Sequence, residues 1–164
     1  MPCRGVHFAL SDDDRANLLG AVGDDDALLY VIQEEIEEQW DRDWLCETDK
    51  AWDAIHRCLT DGTLADDDAT PLHWCVLNGT QLYGGDDYIV SLVEPNRVPA
   101  VAGAVAKIDR DALRSRYDSI DPSDYGMPLS DEDFQYTWEN FNDLRALFQK
   151  AAASGRAVVF TVDQ

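Results

Sequence analysis

Apolar positions along this chain follow two periods, and the switches between them divide it into strands and helices. The segment Arg4–Leu10 sets His7 and Phe8 among small and β-branched residues, as a strand does. It runs into Ser11-Asp12-Asp13-Asp14, where a hydroxyl cap and first-turn carboxylates suit the positive end of a helix dipole. The strand therefore feeds a short helix that ends near Gly20 to Gly23. Asp24-Asp25-Asp26 repeats the start signal. Leu28, Leu29, Ile32, Ile36 and Trp40 then recur at helical spacing with Glu34, Glu35, Glu37 and Glu38 between them, the clearest amphipathic helix in the chain.

Thr48 reads as the cap of a third helix, because Trp52, Ile55, His56 and Leu59 fall on one stripe before Asp61-Gly62 stops it. A loop with Asp66-Asp67-Asp68 and Pro71 follows. Leu72–Leu77 and Tyr88–Val93, with Asn78-Gly79 and Gly84-Gly85 turns between them, read as strands or short extended pieces. Glu94-Pro95-Asn96 opens a helical run from Val98 to Ile108. Asp109 starts a short helix carrying Leu113 and Tyr117, broken at Asp121-Pro122. Ser130-Asp131-Glu132-Asp133 caps a long helix holding Phe134, Trp138, Phe141, Leu144, Leu147 and Phe148, and Gly155 ends it. Ala157–Val162 is β-branched and apolar, a buried strand that pairs with the N-terminal one.

These elements predict an α+β fold: a single domain over 1–164, with a small mixed or antiparallel sheet, N- and C-terminal strands paired, and several helices packed on it. With 164 residues, roughly 70% of the unfolded surface can be buried, so the core needs no staples. The four cysteines, Cys3, Cys46, Cys58 and Cys75, are scattered without a repeated spacing and read as reduced thiols. No stretch approaches the ~20 apolar residues of a membrane helix, and no signal peptide is read, so the expected compartment is the cytoplasm.

Charge changes the picture more than composition does. The net charge is −20, and residues 1–94 hold 22 acidic against 5 basic side chains while 95–164 hold 11 against 8. Affinity for a polyanion comes largely from Lys and Arg, so nucleic acid and anionic membranes are disfavoured partners. An uneven acidic surface can steer a basic partner. It can also be mere solvation, as the excess of Asp over Glu and the scarcity of Lys would suit a high-salt or high-GC host.

Motifs for chemistry are sparse. Each histidine stands near a cysteine (Cys3 and His7, His56 and Cys58, His73 and Cys75), yet none of the spacings is that of a zinc site. His73 and Cys75 would share a face on a strand, whereas His56 and Cys58 on a helix would diverge by about 200°. There is no Gly-x-Ser-x-Gly elbow, Walker loop, Gly-x-Gly-x-x-Gly or calcium-loop pattern. No catalytic residue, metal or cofactor is assigned. Trp44, Tyr83 and Tyr125 fall in apparent loops, where exposed aromatics beside acids serve as anchors in binding surfaces.

The stretch from Lys50 to Gly62, KAWDAIHRCLTDG, resembles the YfbM-like family of small bacterial proteins, a domain of unknown function. Gly5–Leu10, Pro71–Gly79, Tyr88–Ile108, Leu113–Asp118, Asp131–Trp138 and Ala157–Asp163 extend the resemblance over nearly the whole chain, in the family's order. It implies a bacterial, cytosolic α+β domain and brings no activity, cofactor or catalytic residue. Trp52 and His56 lie in its most recognisable motif.

Two functional expectations follow. One is a non-enzymatic protein-binding module, inhibitor- or immunity-like, whose acidic surface over roughly Asp24–Asp68, Glu34, Glu35, Glu37 and Glu38 included, captures a basic protein with Trp44, Tyr83 and Tyr125 as anchors. The other is a small-ligand binder or hydrolase with a pocket around Trp52 and His56, joined by Tyr88 or Tyr125.

Overall fold

In a computed structural model that describes residues 3–65 and 68–163, the two ends of the chain form the middle of the sheet. Strand β1 (Gly5–Leu10) pairs antiparallel with β5 (Ala157–Asp163), Val6 opposite Thr161 and Leu10 opposite Ala157. Outside β1 lies β2 (Leu45–Asp49); outside β5 lie β4 (Tyr88–Val93) and the two-residue β3 (Thr80–Gln81). The order is β2-β1-β5-β4-β3 and every pairing is antiparallel.

Alternation along these strands feeds two separate cores. Val6, Phe8 and Leu10 of β1 and Val159 of β5 point to one face, packed by α1 (Asp12–Gly20) and α2 (Asp25–Tyr30). Ala9, Val158, Phe160 and Val162 point to the other, against α3 (Trp52–Leu59), α5 (Val98–Ala106), α6 (Arg110–Asp118) and α8 (Asp131–Ser154). Single turns α4 (Pro71–Trp74) and α7 (Pro122–Tyr125) connect them. Both faces of β1 and β5 are covered, so Phe160, fully buried, contributes about 1.5–3 kcal/mol by its removal from water.

Helix α8 shows how local sequence sets the frame. Ser130 Oγ accepts from the Asp133 amide at 3.0 Å, three carboxylates fill the first turn, and Gly155 stops the helix at φ 67°. A left-handed residue there costs glycine nothing.

Four sequence expectations are corrected. Leu72–Leu77 is not a strand: Pro71, its φ preset, takes the first helical position of α4, and the following residues continue as turns. His73 and Cys75 therefore do not share a strand face. Thr48 does not cap α3; it lies in β2, which the sequence reading missed, and its hydroxyl donates to the Gly5 carbonyl at 3.2 Å. Between them Asp49 turns the chain at φ 48°, a conformation that short polar side chains tolerate. Finally, the amphipathic helix does not run to Trp40 as one α-helix. Val31–Glu37 is a π-helix, and Trp40 takes the left-handed conformation at φ 41°. Of the third Asp triplet, Asp66 and Asp67 lie outside the described residues.

Candidate functional site

The turn after β2, the start of α3 and the start of α8 meet around a pocket of about 450 Å3. Its walls are Trp52, Tyr125, Tyr136, Leu64, Met127 and Cys3, with Asp53, Asp133 and Lys50 as the charged residues. Gly5 lets Trp52 in: a Cβ there would sit 2.7 Å from the indole and 2.6 Å from the Phe160 ring. Trp52 is 5% exposed, and its Nε1–H donates to the Cys3 carbonyl at 2.8 Å.

Hydrogen bonds fix the rest of the wall. The hydroxyls of Tyr125 and Tyr117 both donate to Asp133 Oδ2, at 2.9 and 2.7 Å. Tyr136 donates to Asp49 Oδ2 at 2.6 Å and accepts from the Lys50 amide at 3.2 Å. Burial, reinforced by the Asp49 carboxylate, pushes the Tyr136 hydroxyl up to about 12, and the same two causes raise Tyr125 beside Asp133. These tyrosines are donors at any physiological pH. Behind the pocket the buried Arg57 guanidinium grips Asp53 through Nε at 2.6 Å, pairs with Asp124, and stacks on the Tyr125 ring at 5.7 Å. Asp53 Oδ2 and Asp133 Oδ1 receive no hydrogen bond from a described residue.

The opposite face of the sheet carries a different surface. Residues 12–43 hold 12 acidic and 2 basic side chains, a net of −10, half the charge of the chain. They fold into the layer of α1, α2 and the π-helix over the second core. Glu34, Glu38, Asp13 and Asp24–Asp26 are exposed, and Tyr30 among them is 61% exposed. At the layer's edge Tyr88 donates to Glu37 Oε1 at 2.7 Å, and Tyr83 packs edge-on against Tyr88 with ring centres 6.3 Å apart. The Gly84 amide donates to Asp25 at 3.1 Å and ties this loop to α2. A cleft of about 380 Å3 opens between the π-helix and the strand ends, lined by Glu37, Trp40, Tyr88 and Asp163 among others.

The structure thus divides the sequence-derived residues into two sets. Trp52 and Tyr125 meet in the pocket. Glu34, Glu35, Glu37, Glu38, Tyr83 and Tyr88 meet on the acidic layer, so the stretch from Asp24 to Asp68 does not form one face. His56 belongs to neither: it is fully buried in α3. Trp44 is half-buried beneath two cations, Arg156 at 3.5 Å and Lys150 at 4.2 Å from its ring centre. Sequence reading missed Tyr30, Tyr136 and Asp133. Tyr30 was legible, as a large aromatic off the Leu28–Ile32–Ile36 stripe.

The thiols offer little chemistry. Cys46, Cys58 and Cys75 are buried, and burial pushes the first two up to about 12 and Cys75 higher still, so none is a ready thiolate. All three histidines are buried. Among the described residues no three His, Cys, Asp or Glu side chains converge as metal ligands do, and no helix is long and apolar enough to cross a membrane.

Comparison with known proteins gives a family and a fold. A family model described as a domain of unknown function, DUF1877, matches residues 1–161. The crystal structure of YfbM from Escherichia coli, a protein of unknown function, superposes with a TM-score of 0.64 at 22% identity, covering 97% of this chain and 99% of that one. No curated protein matches.

Proposed function

We propose that this chain, which belongs to the DUF1877 family, is a non-enzymatic binding module whose acidic layer captures a basic protein. The observation that carries the reading is the gathering of half the net charge into one layer of helices that also holds an exposed tyrosine, Tyr30. Carboxylates scattered for solubility would spread evenly over both faces of the sheet; on the other face α6 sets three arginines, Arg110, Arg114 and Arg116, against two aspartates, Asp111 and Asp118. A field of one sign speeds encounter with an oppositely charged partner, and a rigid aromatic supplies area at low entropic cost. Tyr30 supplies that aromatic, with Tyr83 at the edge.

The test is capture from host lysate on the tagged protein, at low and at moderate salt, beside a variant with Asp13→Asn, Asp26→Asn, Glu34→Gln and Glu38→Gln. These four side chains are exposed, and none forms a side-chain hydrogen bond or ion pair with another of the described residues. A basic protein retained at low salt, released as salt rises and lost to the variant supports the reading. A partner held equally by the variant overturns it.

A further inference from the structure

We infer that the pocket between α3, α7 and α8 is a second, separate binding site, and that it takes a small organic cation: an ammonium or guanidinium head on an apolar stem. This goes beyond the acidic-layer reading and does not depend on it, since the two surfaces lie on opposite faces of the sheet.

The argument begins with what the walls can do. Trp52, Tyr125 and Tyr136 present aromatic carbon, and Leu64 and Met127 add apolar surface, with Met127 itself 41% exposed at the mouth. A cavity of about 450 Å3 falls within the range of roughly 300–1,000 Å3 typical of small-molecule sites. Aromatic faces attract cations, and more strongly where water is excluded. An anionic ligand would meet two carboxylates, Asp53 and Asp133; a neutral donor could reach their free oxygens, Asp53 Oδ2 and Asp133 Oδ1, but would leave the negative charge of the wall unmatched. A cation supplies donors to both.

The fold already contains the same recognition in cis. Arg57, beneath the pocket, sits on the Tyr125 ring while it pairs with Asp53 and Asp124. One guanidinium against those two carboxylates leaves that group at a net −1, and Asp133, which no described cation pairs with, adds a second negative charge to the wall. Lys50, exposed at the rim, is the opposing charge, and it favours a ligand whose head enters deep, past the rim, to Asp133. The donor-only tyrosines hold Asp133 Oδ2 in place, so the carboxylate is oriented before a ligand arrives.

The probes are n-butylguanidinium, n-butylammonium and their neutral counterpart N-butylurea, titrated into the 15N-labelled full chain by NMR. Saturable shifts are expected at the Trp52 indole and the amides of Tyr125, Gly126 and Met127, with the urea at least tenfold weaker. Asp133→Asn, which keeps an oxygen for the tyrosines, should weaken the cations at least tenfold. Leu64→Trp fills the cavity without touching a hydrogen bond of α3 or α8 and should abolish binding, so a poorly folded Asp133 variant does not end the test. Equal binding of the urea, or cation shifts confined to residues 12–43, overturns the inference. A capped Gly-Gly-Arg-Gly-Gly peptide that shifts the same amides identifies a protein side chain as the source; binding of the free cations alone identifies a small molecule. Failure here leaves the acidic-layer reading intact, and its failure leaves the pocket's titration unchanged.

Discussion

His7 on β1 and Cys75 at the end of α4 are joined by a 2.8 Å contact between the imidazole Nε2 and the carbonyl oxygen. Nε2 must carry the proton, because a carbonyl only accepts, and Nδ1 then lies buried without a partner among the described residues. The ring packs on Phe160 at 4.6 Å and Phe148 at 6.1 Å. Burial lowers its pKa from 6.5 to about 4, and the carbonyl recovers only part of that.

A pH dependence follows, with a definite sign. The folded state holds His7 neutral while the unfolded chain protonates it near 6.5, so the unfolded state binds more protons below that pH. His7's contribution is fully present above pH 6.5 and is lost as pH falls toward 4. The gap corresponds to about 3 kcal/mol. Urea unfolding between pH 4 and 7 should show it, and His7→Gln, which keeps a donor for Cys75, should flatten the slope between pH 5 and 6.5. An unchanged slope would refute the assignment.

Gly5 is required by a close approach. Its absent Cβ leaves room for Trp52 and Phe160, 2.7 and 2.6 Å from where that atom would stand. Gly5→Ala should cost about 1–3 kcal/mol through overpacking, and Phe160→Leu in the same chain should restore part of it. Trp52→Ala, at 5% exposure, should cost about 3–5 kcal/mol. Thermal melts of the three variants measure all of this, and a neutral Trp52→Ala would sink its place in the core.

Much of the fold was legible because burial writes itself as period. β1, β5 and α8 are buried along a whole face or stripe, so Phe8, Phe160 and the row from Phe134 to Phe148 announced them. β2 was not legible: only Cys46 and Thr48 of its five residues are buried, and at the sheet edge Leu45, Glu47 and Asp49 carry no strand pattern. Leu72–Leu77 misled because a short apolar run has no period of its own and Pro71 decided it. The change from α to π at Val31 alters hydrogen-bond partners, not which residues are apolar, so no side-chain pattern marks it. The pocket was legible only in part, through Trp52 and Tyr125. Tyr136 and Asp133 sit on the polar side of α8 and meet Trp52 only through tertiary packing, and His56, beside Trp52 in sequence, turns inward.

The hydroxyls of Tyr117 and Tyr125 converge on one carboxylate, so α6, α7 and α8 are tied at Asp133. Tyr125→Phe keeps the ring against Arg57 and removes one of the two donors. It should lower stability by about 1 kcal/mol, a melting shift of about 2–4 °C at this chain length. Asp133→Ala removes the acceptor for both and should cost more than Tyr125→Phe and Tyr117→Phe taken singly. Equal losses for all three would mean that the shared carboxylate does not couple the helices.

Tyr30 separates a binding role from a structural one. At 61% exposure it buries little, and its neighbours Leu28 and Ile32 already fill the second core. Exposed side chains away from caps and buried networks change stability by about 0.5 kcal/mol or less when truncated, so Tyr30→Ala should leave the melting temperature almost unmoved. An aromatic anchor at the centre of an interface, by contrast, costs more than about 1–2 kcal/mol when truncated, a tenfold or greater loss of affinity. Calorimetric titration with the captured basic partner should therefore show that loss in Tyr30→Ala at any salt, whereas Glu34→Gln should weaken binding chiefly at low salt, where charge is unscreened. If Tyr30→Ala binds as the parent does, the acidic layer acts by charge alone and the aromatic anchor lies elsewhere.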